Sequence, residues 1–298
     1  MKKSTEQLYK QRILRVQMYI QKNLDRELSL EELAQKSHFS VYHFHRVFKA
    51  VVGESLKEHI RRLRLEGAAS QLKYTDESVI NIAFNAGYQT HEAFTRAFKA
   101  IFGCSPSGFR NNCSTSQRIL AKYQNDRQVK KRDNNQVNGD EIMEVKIQDI
   151  EPMRVAFVRH VGPYNQAGKA WEKLCTHLGK EGYLGPNCKF IGICYDDPEV
   201  APPEKNRYDA CITVDENFVP EDEIAVQTIG GGEYAVTTHF GPYDNLSQTY
   251  SRLFRDWLIK SNREISQDPC MEFYLNDPES TDPEDLLTDV CLPLKPKK

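Results

Sequence analysis

No run of apolar residues in this 298-residue chain approaches the ~20 needed to span a bilayer, which excludes a transmembrane helix. Met1-Lys2-Lys3 is followed by the polar Ser4-Thr5-Glu6-Gln7 rather than a signal-peptide apolar core, so a cytoplasmic protein is expected. The eight cysteines stand singly, with neither CxxC pairs nor His at metal-ligand spacing. That argues against a zinc site and against a disulfide framework; reduced thiols, no metal and no cofactor are expected.

Net charge is also small, −2, but it is unevenly spread. Residues 1–111 carry 18 Lys and Arg against 11 Asp and Glu, residues 112–141 carry 6 against 4, and residues 142–298 carry 16 against 27. The first third can attract phosphate, whereas the second half should repel it. The length suits two domains, and the charge step suggests 1–111 and 142–298 with a linker at 112–141. The linker is poor in large apolar residues, with one helical turn expected near Ile119 to Tyr123.

One stretch is written twice. FHRVFKAVVGES, from Phe44, returns fifty residues later as FTRAFKAIFGCS, from Phe94, which marks a duplicated unit. Ile13, Val16, Ile20 and Leu24 place an amphipathic helix over about 5–23. Ser29 with Glu32 forms a capping-box pattern before a short helix, and Ser40 can cap a helix from Val41 to Val51 that Gly53 stops. Short helix, tight turn and second helix make a helix-turn-helix. The second copy has its short helix at Ile80, Ile82 and Ala83, its turn at Ala86-Gly87-Tyr88, its cap at Thr90 and its stop at Gly103.

Ser55 with Glu58 opens a connecting helix to about Leu72, with Leu56, Ile60, Leu63 and Gly67 as its expected inward stripe and Lys57, Arg61 and Arg64 as a basic one. In the repeated helices Phe44, Val47 and Phe48, like Phe94, Ala97 and Phe98, have core spacing. The other faces carry Val41, Tyr42, His45, Arg46 and Lys49 in one helix and His91, Glu92, Thr95, Arg96 and Lys99 in the other. Such residues suit a major groove: Arg can bond guanine, Tyr and Val can touch thymine methyls, and Lys can meet phosphate. A solvated face, or an ion pair of Arg46 or Arg96 across the repeat, remains the structural alternative.

With LAQKSHFSVYHFHRVFKAVVGESLKEHIRRLRLEGAASQLK and the later IAFNAGYQTHEAFTRAFKAIFGCSPSGFR, the first 100 or so residues resemble the AraC/XylS DNA-binding domain. The resemblance implies base and phosphate contacts from Tyr42, His45, Arg46, His91, Glu92, Thr95 and Arg96. Glu92 departs in character, because an acid in the groove can accept only from cytosine.

The acidic half repeats too: VRHVGPY at Val158 returns as TTHFGPY at Thr237, and Tyr195 is matched with Tyr274. Each unit reads as strand, strand, helix, strand, strand, at about 143–150, 153–161, 164–181, 189–195 and 207–214, then 224–229, 233–240, 243–260, 270–275 and 286–292. The expected architecture is therefore an all-α N-terminal domain with two helix-turn-helix units, plus an α+β C-terminal domain built from a duplicated unit. Tyr164 with Tyr243 and Trp171 with Tyr250 recur at equivalent places, as core or as cleft walls. Glu272 is read as standing where the first unit has Ile193, so a buried acid would want a cationic partner.

HxGPY twice and EFYLNDP resemble the GyrI-like small-molecule-binding domain. That resemblance implies a cleft for lipophilic, often cationic compounds, with the acid at Glu272 and walls at Tyr164, Trp171, Tyr243, Tyr250 and Tyr274. Together the readings predict a transcription regulator, not an enzyme, with double-stranded DNA of asymmetric sequence, a small effector and RNA polymerase as expected partners. Two alternatives stand beside it: a small-molecule hydrolase using the C-terminal Glu, Tyr, His160 and His239, and a protein-partner-binding module.

Overall fold

Caps written into the sequence set most of the helix boundaries. In a computed structural model, residues 5–111, 143–198, 200–221, 223–266 and 268–297 are described, apart from the side chains of Thr5, Glu6, Tyr42, Arg255 and Ile259. The linker expected at 112–141, with its helical turn, lies outside the described residues. The chain divides into two units, 1–140 and 141–298.

The first unit holds α1 (Thr5–Gln21), α2 (Leu30–Lys36), α3 (Val41–Val52), α4 (Leu56–Tyr74), α5 (Val79–Asn85), α6 (His91–Phe102) and α7 (106–111). Ser29, Ser40, Ser55, Ser78 and Thr90 each accept a backbone N–H three residues on, satisfying donors that the first helical turn leaves without partners. At α4 the capping box is closed both ways, because Glu58 Oε2 also accepts the Ser55 N–H at 2.9 Å. Gly53 and Gly103 end α3 and α6 in the left-handed region.

Ile13, Val16 and Ile20 of α1 close over Leu33, Phe44 and Phe48, with Leu56 and Leu63 of α4 beneath. In the second half of the unit, Phe94 and Phe98 are wholly buried, and Phe98 stacks against Phe102 and Phe109 at 4.4 and 5.5 Å. Each fully buried Phe contributes about 1.5–3 kcal/mol, so these two clusters carry much of the unit's stability.

The connecting helix differs from its expected striping. Gly67 is exposed and Ile60 only half-buried, whereas His59, Leu65, Glu66, Ala68, Ala69 and Leu72 are buried. α4 packs on both α3 and α5, so it is covered on more than one side and no single stripe can describe it. Arg64 also leaves the expected basic stripe. Its Nε donates to Leu24 O at 2.9 Å and its Nη2 to Arg26 O at 2.6 Å, tying α4 to the loop before α2. At the far end Arg110, the arginine of the closing FR pair, donates likewise to Leu72 O and Glu77 O. Buried charge on α4 is paired, since Arg62 bonds Glu54 and Glu66 at 2.9 Å each and Glu54 also meets His59 at 2.8 Å. Burial pushes the Glu54 carboxyl up, but His59 and Arg62 outweigh it and hold it at about 2.

The second unit is one antiparallel sheet of β1 (Lys146–Ile150), β2 (Met153–Val161), β3 (Phe190–Cys194), β4 (Arg207–Thr213), β5 (Ala225–Ile229), β6 (Gly232–Phe240), β7 (Cys270–Tyr274) and β8 (Leu287–Pro293). Their spatial order is β1-β6-β8-β7-β3-β4-β2-β5. Helix α8 (Gly168–Lys180) follows β2, and α9 (Leu246–Arg252) follows β6, continuing through a π-helical stretch, Leu253–Leu258, into α10 (Ile259–Ser261). α8 seats Ala170, Leu174 and Leu178 on Ala156, Val158, Ala210 and Ile212. α9 seats Leu246 on Ala235, Val290 and Leu292, on the same face by register. The central strands β3 and β7 thus form the floor between two helices.

On the opposite face Asp209, wholly buried, is bonded by Arg159 at 2.7 and 2.8 Å, by the Tyr195 hydroxyl at 2.8 Å and by Gln227 Nε2 at 2.9 Å. Tyr195 therefore lies on the other side of the sheet from Tyr274, and the match between them does not hold. β2 and β6 begin 79 residues apart but β3 and β7 begin 80 apart. From β3 and β7 on, positions therefore correspond at an offset of 80 rather than 79. The match of Glu272 with Ile193 shifts likewise: at an offset of 80 its counterpart is Gly192, which is also its Cα partner across the sheet, whereas Ile193 pairs with Met271.

Candidate functional site

In the helical unit, α3 and α6 are twelve residues each, and both bury completely the phenylalanines at their fourth and eighth positions, Phe44 and Phe48 in one and Phe94 and Phe98 in the other. Burial of that stripe turns the other side outward. Val41, His45, Arg46 and Lys49 are exposed on α3, and Glu92, Arg96 and Lys99 on α6; the Tyr42 side chain lies outside the described residues. His91 and Thr95 are only half-buried rather than open, and the Thr95 hydroxyl is shielded from solvent with no hydrogen-bond partner among the described residues. Thr95 thus does not present its hydroxyl to solvent. Arg96 borders a shallow concavity shared with Arg61, Tyr88, Ala93 and Ala97. It makes no ion pair among the described residues, so its structural alternative finds no partner here.

In the second unit the floor between the helices is built around Glu272. The residue is 5% exposed, and its carboxylate accepts from Tyr274 at 2.7 Å, Tyr250 at 3.0 Å and the Cys194 thiol at 3.4 Å. No Lys or Arg pairs with it among the described residues. Burial raises its pKa above the ordinary carboxylate value, opposed by those three donors and by the nearby His239.

The hydroxyls form a directed chain. Tyr274 donates to Glu272, so it accepts from Tyr208 at 2.8 Å, and Tyr208 accepts from the Trp171 indole at 3.0 Å. The rings meet edge to face, Trp171 on Tyr274 at 5.5 Å and Tyr243 on Tyr274 at 5.1 Å. A Cβ on Gly192 would lie 2.7 Å from the Tyr274 oxygen and would overlap that of Tyr208. The glycine opposite Glu272 is what lets two hydroxyls converge there.

The six expected cleft residues are thus brought together, but not equivalently. The Tyr164 hydroxyl is spent on Asp196 O at 2.6 Å, whereas that of Tyr243 has no hydrogen-bond partner among the described residues. Tyr208 and Cys194 are members that sequence reasoning missed. Tyr208 is one residue of an alternating strand, and nothing local marks it.

The histidines of HxGPY have a structural use. His160 Nε2 and His239 Nε2 each donate to the carbonyl of the proline three residues on, at 2.9 and 3.1 Å. In its neutral form His239 then accepts from the Thr249 hydroxyl at Nδ1, 2.7 Å away, which leaves no nitrogen for a general base.

The model of the GyrI-like small molecule binding domain matches residues 143–295, and that of a helix-turn-helix domain matches residues 33–112. The transcriptional activator AarP of Providencia stuartii is 40% identical over 98 residues, 33% of this chain and 73% of its own length. The HTH-type transcriptional regulator YbfP of Bacillus subtilis is 37% identical over 102 residues, 34% of this chain but only 35% of that protein. A cryo-EM structure of an EcmrR–DNA complex aligns over 89% of this chain and 98% of its own at 15% identity, with a TM-score of 0.44.

Proposed function

The chain belongs to the AraC-type helix-turn-helix regulators and carries a GyrI-like small-molecule-binding domain, and from that premise we propose a transcription regulator that binds asymmetric DNA and senses a lipophilic organic cation. On the DNA side the reading rests on α3 and α6, two equally capped helices with an exposed arginine each, joined by the 19 residues of α4. At 1.5 Å per residue that connector spans about 29 Å, close to the ~34 Å between successive major grooves on one side of a duplex. RNA polymerase is part of the proposal as the partner through which bound protein changes transcription.

On the effector side one observation carries the reading: a nearly buried carboxylate, Glu272, with no Lys or Arg partner among the described residues, beside Trp171, Tyr243, Tyr250 and Tyr274. A buried carboxylate in that state favours a cation that replaces lost hydration, and aromatic faces add cation–π attraction. We read the two strand-strand-helix-strand-strand units as a duplication that has kept its scaffold and specialised its centre, with one acid opposite one glycine. The domain acts as a binding module rather than a hydrolase, in keeping with the engaged nitrogens of His239.

Selection of bound duplexes from a random pool by the full chain, with and without tetraphenylphosphonium, tests both halves. Enrichment of two unlike half-sites about one helical turn apart, altered in yield by the cation, is the expected result. Recovery of no sequence above competitor DNA at moderate salt would defeat the DNA reading, and an identical yield with and without the cation would defeat the effector reading.

A further inference from the structure

The floor between the two helices holds a second chemistry besides the carboxylate. Cys194 of β3 and Cys270 of β7 are Cα partners, directly opposite across the central pair of strands. Both lie on the face of Glu272: Cys194 donates its thiol to Glu272 Oε1, and Cys270 precedes Glu272 by two residues on the same strand and packs with Tyr250. Opposed residues of an antiparallel pair hold their Cβ atoms about 4.5–5.5 Å apart, within reach of one bridging atom. Both cysteines are free, and neither is fully buried. Cys211 and Cys291 are buried, on the other face by strand alternation, and Cys104, Cys175 and Cys188 have no cysteine opposite them in the sheet.

We propose that Cys194 and Cys270 form a dithiol trap that captures trivalent organoarsenicals in the cleft. The reaction is a condensation. An aryl arsenic dihydroxide loses two As–O bonds and gains two As–S bonds, and the two thiol protons leave with the hydroxides as two waters. Arsenic stays trivalent, no electrons are transferred and no net charge enters the floor. Burial raises both thiols, Cys270 to about 12, so the condensation is written between neutral species, each thiol giving up its proton as its sulfur bonds arsenic. A divalent metal would instead require two thiolates and further ligands, and the described residues form no metal-binding group of His, Cys, Asp and Glu. The rings of Trp171, Tyr243 and Tyr274 offer an aryl substituent the edge-to-face contacts they already make with one another. The inference uses the same cleft as the effector proposal but does not depend on cation binding.

The test adds one equivalent of phenylarsine oxide to the reduced full chain and maps the arsenic by mass spectrometry of peptides. One aryl arsenic per chain, joining the peptides that contain Cys194 and Cys270, is expected. It should survive excess glutathione and leave with 2,3-dimercaptopropanol. In Cys270→Ser the second bond is no longer intramolecular, so retention against glutathione should fall by about a hundredfold or more. Arsenic mapped to other cysteines, or released from the wild-type chain by glutathione, overturns the trap, and the wild-type mapping decides even if the variant folds poorly. A chain that bridges the arsenical yet binds no tetraphenylphosphonium supports the trap and sinks the cation reading.

Discussion

Glu272 and Gly192 face each other at the centre of the sheet, and each constrains the other. Because burial raises the Glu272 pKa, the folded chain holds that proton to higher pH than the unfolded chain, whose reference value is 4.5. The ionised group's cost to stability is therefore absent below the unfolded value and complete above the folded one. Melting temperatures across that window should show this decline in the wild-type chain and lose it in Glu272→Gln. Cation affinity should move the opposite way, rising with pH through the raised pKa in a tetraphenylphosphonium titration and turning flat in Glu272→Gln. For Gly192→Ala the added methyl meets two hydroxyl oxygens at once. An overpacking loss of about 1–3 kcal/mol is expected in urea unfolding, together with weaker cation binding as the Trp171–Tyr208–Tyr274 chain is displaced.

Among the elements, α4 shows how packing overrides pattern. Its heptad-like apolar spacing suggests one inward stripe, yet Gly67 on that stripe is exposed and Arg64 beside it is a brace. Two glycines near it should respond to the same change with opposite sign. Gly67→Ala adds a methyl that meets nothing within 4 Å in a helix interior, so the chain should gain about 0.5–1 kcal/mol. Gly87 has φ +79, and a Cβ there would lie 2.6 Å from Arg64 Nη1. Gly87→Ala should cost about 1–2 kcal/mol for the left-handed backbone, and more if the guanidinium cannot yield. Denaturation midpoints of the two variants, measured side by side, check the pair. Equal effects from both would mean that α4 is placed wrongly against the second turn.

Across the whole molecule, charge divides the two units: a basic helical unit with two capped helix-turn-helix pairs and an acidic sheet unit with two helices over one floor. Helices α3 and α6 share caps, length, core and the Arg46/Arg96 and Lys49/Lys99 pairs, but Tyr42 is matched by Glu92 and His45 by Thr95, whose hydroxyl is shielded from solvent. Arg46→Ala and Arg96→Ala should each weaken specific DNA binding by about 1–3 kcal/mol and relax preference at different bases. Binding to a selected duplex, compared with binding to variants of each half-site, separates the two effects; loss at the same base from both substitutions would contradict independent reading by α3 and α6. Most of this organisation is legible in the sequence, because caps, turn glycines and helical spacing act between residues a few positions apart. The serine caps, both glycine stops and the phenylalanine cores of α3 and α6 are signals of that kind. The site was legible in part: Tyr164, Trp171, Tyr243, Tyr250, Glu272 and Tyr274 stand together, but Tyr208 and Cys194 do not announce themselves, and the offset between units conceals that Glu272 faces a glycine. Which sides of α4 are covered, which strand lies beside which, and that Cys194 meets Cys270 were decided only by the tertiary structure. Those contacts join residues up to 90 positions apart, where register is set by a whole sheet and not by any local pattern.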